Sequence, residues 1–253
     1  MPKRIAAVLM LVAVVAAFGA CGSDDGGADY AADPGADVFE DFVPDVPEET
    51  PDVADVAPEA DVEADVEEDE GGTGCPPLTV EEVELILAAG ADQVMAIVRN
   101  DNLEGDVFLH GWSECVDPLD PTVVHLVSRM RRTLARSLGG VGLAAPQVGV
   151  HRRIFLAQRT DQTGRPVQAF FNPWIAEYSA STATETEGCL SVPGASPAIE
   201  RSLEVVVDYD LEDGSRVYAE RIGGADGTQA AYAARIVQHE YDHLDGILIV
   251  DPR

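Results

Sequence analysis

The chain has 253 residues, of which 46 are acidic and 16 basic, giving a formal net charge of −30. No basic run exists to release counterions from a phosphate backbone or to hold an anionic lipid surface, so nucleic-acid binding and electrostatic membrane docking are excluded as the main task. Residues 22–74 carry 20 of the acids and no Lys or Arg, whereas the last 179 residues alternate apolar and polar runs well enough to bury one ordinary core.

Met1–Arg4 is basic, Ile5–Phe18 is almost wholly apolar, and the small Gly19 and Ala20 lead to Cys21. This is the layout of a secretory signal, too short for a comfortable membrane span. Phe18-Gly19-Ala20-Cys21 resembles the lipobox of bacterial lipoproteins. That implies removal of residues 1–20, lipidation of Cys21, and an exported chain whose only membrane contact is its N-terminal lipid, in the outer membrane if the cell has two. The alternative is a plain signal peptide or uncleaved anchor, with Cys21 incidental; a chain whose signal is not used stays cytoplasmic. The signal segment is therefore taken as residues 1–21. Residues 22–74 repeat Asp-Val, Pro-Glu and Ala-Asp-Val units without a helical or strand period. Self-repelling acids with scattered Pro cannot bury enough apolar surface to offset ordering entropy, so a disordered tether is expected. A calcium-binding run is the alternative, but no loop has the ligand alternation of a dedicated site.

A folded domain is expected over residues 75–253. Thr79–Val98 reads as a helix, with Thr79 and Glu82 offering a capping box. The stretch to Asp117 shows no clear period. Asp120 and Pro121 then open a second helix as N-cap and first-turn residue. Val123, Val127, Met130 and Leu134 follow at helical spacing, and Arg129, Arg131, Arg132 and Arg136 are expected on a solvated face rather than around a ligand. Short strands are predicted over Arg153–Gln158, Gln168–Asn172, Leu203–Asp210 and Arg216–Glu220, with Asp213-Gly214 as a turn. Thr228–Leu244 is a helix stopped by Asp245-Gly246, and Ile247–Val250 reads as a closing strand. Short antiparallel sheets around a long C-terminal helix make an α+β fold.

Three stretches carry chemistry. His239-Glu240-Tyr241-Asp242-His243 is HExxH inside the last helix: two His four residues apart share a face and can hold one cation, with Glu240 beside the first. A catalytic four-coordinate metal needs a third protein ligand. Few residues follow His243, and the outstanding upstream candidate is Cys189, between the flexible Gly188 and the apolar Leu190; a buried Cys acting as a small hydrophobe is the alternative. Gly140-Val141-Gly142-Leu143-Ala144-Ala145-Pro146-Gln147 has little side-chain bulk and ends in an amide. It suits a narrow cleft with Gln147 aimed at a reacting oxygen, while its Gly spacing matches neither common nucleotide fingerprint.

Gly140–Gln147 (GVGLAAPQ), Glu187–Ser191 (EGCLS) and Gln238–Gly246 (QHEYDHLDG) resemble the three signature motifs of peptide deformylases, in order. The resemblance is good over residues 117–251 and poor over 75–116. It implies a metallohydrolase that removes the formyl group from formyl-methionyl peptides and releases formate. It assigns Cys189, His239 and His243 to one divalent metal, typically Fe²⁺, with Zn²⁺ or Ni²⁺ in some members. It also implies that Glu240 transfers protons, that Gln147 and the Leu190 N–H bind the formyl oxygen, and that Gly142 offers backbone hydrogen bonds near the substrate. A formylated peptide is thus the expected partner, and a monomer the expected state. Two further readings stand beside it: an exported amidase acting on another small N-acyl group, or a peptidase using HExxH differently. From another class comes a non-catalytic surface lipoprotein that keeps the fold.

The family's Arg near Ser196 is absent, with Arg201 the candidate substitute. With Cys21 lipidated and Cys189 on the metal, Cys75 and Cys115 remain; an oxidising compartment permits a disulfide between them, two unpaired core residues being the alternative. The same compartment weighs the metal towards Zn²⁺. His110, His125 and His151 are expected to have no catalytic role.

Overall fold

The structure, a computed structural model, describes residues 74–252. The expected signal segment with Cys21, and the expected tether up to residue 73, lie outside the described residues. The elements run α1 (Val80–Leu87), α2 (Leu103–Leu109), α3 (Pro121–Arg136), β1 (Gly142–Ala144), a 3₁₀ turn (Ala145–Val148), β2 (Ile154–Gln158), β3 (Val167–Tyr178), β4 (Thr182–Thr186), β5 (Ala198–Ser202), β6 (Glu204–Asp210), β7 (Arg216–Gly223) and α4 (Gln229–Leu244). The strands form a five-stranded sheet in the order β1-β2-β3-β6-β7 and a separate β4-β5 pair, all antiparallel. This is the expected α+β arrangement, with α4 packed against both sheets.

The two helices α3 and α4 take opposite faces of the sheet, and strand alternation decides which side chain meets which. Ile154 and Leu156 of β2 join Val123, Leu126, Val127 and Met130 of α3 in one buried cluster. Phe155 and Ala157 point the other way, into a cluster with Ala233, Ala234, Val237 and Tyr241 of α4. Burial on both faces explains why β2 is an unbroken apolar run rather than an alternating one.

Several expectations are corrected. The capping box at Thr79 and Glu82 forms, but α1 ends at Leu87 instead of continuing to Val98. Carbonyls of its last turn and of the chain that follows are taken by α3: the Arg129 guanidinium donates to those of Leu85, Ile86, Gln93 and Val94 at 2.9–3.3 Å. His125 Nε2 meets the Ala89 carbonyl and Arg132 Nε donates to that of Asp92. Arg129 is only 5% exposed, so it does not lie on a solvated face; it replaces helical hydrogen bonds for a chain that turns back. Strand β3 runs past Pro173 to Tyr178 because a register shift between Phe171 and Trp174 carries the residue with no N–H through an irregularity. The β4-β5 pair was not expected: Thr-Ala-Thr-Glu-Thr is polar and mostly exposed, so it lacks a strand's burial period. The residues Ile247–Val250 form no strand; Leu248 and Ile249 instead pack with Leu109 of α2, whose N-cap is Asn102.

Cys75 and Cys115 are joined in a disulfide with Cα atoms 5.3 Å apart. A crosslink closing a loop of this size contributes about 4 kcal/mol in the chain-entropy view.

Arg129→Met removes the donor to four carbonyls and leaves them unpaired beside the core. A loss of about 3 kcal/mol in urea unfolding is expected; a change under about 0.5 kcal/mol would show that these contacts are replaceable by solvent.

Candidate active site

Thr228 caps α4, its hydroxyl accepting from Ala231 N–H, and Gln238 ties the middle of the helix to β5 by exchanging amide hydrogen bonds with the Ser202 backbone. His239 and His243 then fall on one side of α4, with ring centroids 5.2 Å apart. The loop after β4 brings Cys189 to them. Ligand atoms of Cys189, His239 and His243 all lie within 4.8 Å of one another, and Cys189 Sγ is 3.2 Å from His243 Nε2. One thiolate and two imidazoles make a donor set suited to a borderline divalent metal.

The ligands are held from behind by Glu187. Its carboxylate meets His239 Nδ1 at 2.9 Å, which leaves Nε2 as the free nitrogen of that ring. It also accepts two hydrogen bonds from Arg201 at 2.9 Å and one from Arg235 at 2.7 Å. Burial pushes the Glu187 pKa up, but the bonds from His239 and Arg201 overcome it and hold the group well below the usual carboxylate range. Burial likewise pulls His239 down, yet Cys189 and Glu187 lift it to about 10, so the site stabilises positive charge at that position. His243 behaves oppositely: burial, with the charges of His239 and Arg201, keeps it well below its ordinary value and hence a neutral imidazole at pH 7. The anionic support behind His239 suits a cation that replaces the ring's proton, and His243 ligates as the neutral imidazole.

A cavity of about 330 Å³ opens in front of this cluster, between residues 138–142 with Gln147, the loop 186–190, and the Tyr232, Arg235, Ile236, His239 and Glu240 face of α4. Glu240 is 4% exposed, and burial pushes its pKa up to about 7. One of its oxygens meets no hydrogen-bond partner among the described residues. Gly142 lies directly against this carboxylate: a Cβ there would come 2.2 Å from Glu240 Oε1. The close approach adds a steric requirement for glycine to the backbone role expected of Gly142. Gln147 Oε1 accepts from the Ala144 N–H at 2.8 Å, which fixes the amide so that Nε2 faces the Cys189 side, 3.5 Å from Sγ. Leu190 lines the cavity, and its N–H has no acceptor among the described residues.

All the sequence-predicted site residues in the described part of the chain are therefore gathered at one place. Of the supporting charges, sequence reasoning named Arg201 and missed Arg235. Arg201, the candidate substitute for the absent Arg near Ser196, stands behind the ligands, where it bridges Glu187 and Asp242. Arg235 joins α4 to Glu187, Glu185 and the Ala183 carbonyl. Glu187, two residues before Cys189, was the available signal. His110, His125 and His151 stand elsewhere, on Asp251, the Ala89 carbonyl and Phe108 respectively.

A thiolate and two imidazoles with a buried carboxylate between them, facing a small-walled cavity, define a metal-dependent hydrolase. Residues 99–253 match the family model described as polypeptide deformylase. The peptide deformylase of Pseudothermotoga lettingae is 39% identical over 155 residues, covering 61% of this chain and 82% of that protein. The crystal structure of the Thermotoga maritima enzyme is matched at 37% identity and a TM-score of 0.52, over 62% of this chain and 95% of that one. The class I type b peptide deformylase of Acinetobacter baumannii bound to Met-Ala-Ser is matched at 30% identity and a TM-score of 0.52, over 63% and 98%. The chain belongs to the peptide deformylase family, metallohydrolases that remove the formyl group.

Glu187→Gln keeps the shape but removes the charge that orients His239. Metal affinity should weaken by about 10–100-fold in a competition titration with a chromophoric chelator; unchanged affinity would mean that His239 needs no such partner.

Proposed function

We propose that this chain is an exported, lipid-anchored deformylase that acts on formyl-methionyl peptides outside the cytosol, with one divalent metal held by Cys189, His239 and His243. The observation that carries the chemistry is the convergence of these three ligands, Glu240 and the fixed Gln147 amide on one cavity. The Met-Ala-Ser peptide in the Acinetobacter baumannii enzyme supports the substrate class, because such a peptide is what deformylation of a formyl-Met chain leaves. Export and the lipid on Cys21 are supported by the N-terminal pattern, and the Cys75–Cys115 disulfide is the kind of bond that an oxidising compartment maintains. Fe²⁺ is the metal the family suggests, and that compartment gives Zn²⁺ comparable weight.

The residues divide the work. When bound, a divalent cation supplies Lewis-acid polarisation and makes water more acidic. Glu240 takes a proton from the attacking water and delivers it to the departing amine nitrogen. Gln147 Nε2 and the Leu190 N–H donate to the formyl oxygen as negative charge develops there. Water adds to the formyl carbon, the C–N bond breaks, and formate and a free N-terminus result. Gly142 lets the substrate backbone and the Glu240 carboxylate approach each other, and the small walls around it suit a formyl group better than a larger acyl group. Cys189 at ligand distance argues against a peptidase that uses HExxH with a downstream ligand.

The test is formate release from formyl-Met-Ala-Ser by the purified metal-loaded chain and its Glu240→Ala variant. Turnover is expected to fall by about 10²–10⁴ in the variant with metal content unchanged, to disappear on chelation, and to partition with the envelope fraction of cells. Equal turnover in the variant would remove Glu240 from its role, and activity confined to the cytosol would remove the export reading.

A further inference from the structure

Residues 75–98 lie upstream of the segment that matches the family model, yet they pack against the far side of the turn that carries Gln147. The Val98 N–H donates to the Gln147 carbonyl at 2.9 Å. Leu85 sits on Gly149, where a Cβ would come 3.0 Å from its Cδ2; Gly149, at φ +89°, closes the same turn. Ile86 and Met95 share a buried cluster with Ala145 and Val148. The backbone of the turn thus faces residues 75–98 while the Gln147 amide faces the cavity. Two residues further on, the Asn100 N–H donates to the Ser191 carbonyl at 2.9 Å, so the chain leaving this segment spans from Gln147 to the loop of Cys189 and Leu190.

The other end is fastened twice. Cys75 is bonded to Cys115, and Arg152, only 2% exposed, donates to the carbonyls of Pro76 and Pro77 at 2.8 and 2.7 Å and pairs with Glu82. A four-residue 3₁₀ turn has weak internal hydrogen bonding, so its position is set largely by what it packs against. Without the crosslink only the Arg152 contacts hold this end; a segment with fewer fastenings opens more readily, and an error of about 1 Å in a catalytic donor costs up to about 10²-fold.

We propose that residues 75–98, closed by the Cys75–Cys115 disulfide, are a positioning strap for Gln147, so that turnover depends on the disulfide. The inference rests on the oxyanion-binding role given to Gln147 above. Closure is an exchange with a disulfide donor: the two thiols lose two protons and two electrons, and the donor leaves as a dithiol. A newly made, reduced chain is then a slower enzyme than the oxidised one.

The experiment compares the full metal-loaded chain with its Cys75→Ser/Cys115→Ser variant on formyl-Met-Ala-Ser, each also in a Gln147→Ala background. Opening the strap should lower kcat by about tenfold, leave KM within about twofold and metal content unchanged, and cost nothing further where Gln147 is already Ala. Amide hydrogen exchange at Val98 and Gly149 should accelerate. Leu85→Ala, which keeps the disulfide, should reproduce the pattern and decides the matter if the double Ser variant does not fold. Equal kcat with and without the disulfide, or the same tenfold loss in the Gln147→Ala background, would overturn the strap. A native chain that releases no formate while exchange at Val98 still responds to the disulfide would instead overturn the functional reading on which the strap rests.

Discussion

The carboxylate of Glu187 is where the fold and the chemistry meet. It is buried, it carries a charge, and it is held by groups from two different elements: Arg201 of β5 and Arg235 with His239 of α4. An isolated carboxylate in such a place would be costly, and here two guanidiniums and an imidazole share it. The cluster therefore fixes how the β4-β5 pair sits on α4, and in doing so brings Cys189, two residues further along the loop, against the two imidazoles. The charge balance also explains why His239 and His243 differ although they lie one turn apart. His239 faces the anionic side of the site, and His243 is buried on the other.

The same constraint runs through the cavity. A side chain at position 142 would displace the Glu240 carboxylate, and the Gln147 amide has one orientation because the Ala144 N–H has already claimed its oxygen. The Gln147 donor is thus held by the backbone before any substrate arrives. Electrostatic stabilisation of a developing oxyanion requires such preorganisation.

The fold class and the ligand set were legible in the sequence because each rests on a local signal. HExxH has helical spacing, Asp120-Pro121 and Thr228 are recognisable caps, and the β2 run is apolar throughout. Long-range compensation left no such mark. Nothing in the pattern around Arg129 distinguishes a buried guanidinium collecting carbonyls from a solvated one, so the sequence pattern carries α1 past its true end at Leu87. Arg201 was legible only as a stand-in for the absent Arg near Ser196, Arg235 lies in unremarkable helical sequence, and only the third dimension shows both on Glu187. The polar β4 strand had no burial period to detect, although it delivers the loop that carries the thiolate.

The arrangement stands or falls on whether a sulfur and two nitrogens hold one ion. X-ray absorption at the metal edge of the purified, metal-loaded chain measures this directly. One sulfur and two imidazole nitrogens in the coordination shell, with the sulfur lost in Cys189→Ser, is the predicted result. A shell of nitrogen and oxygen alone, unaltered by that substitution, would contradict it.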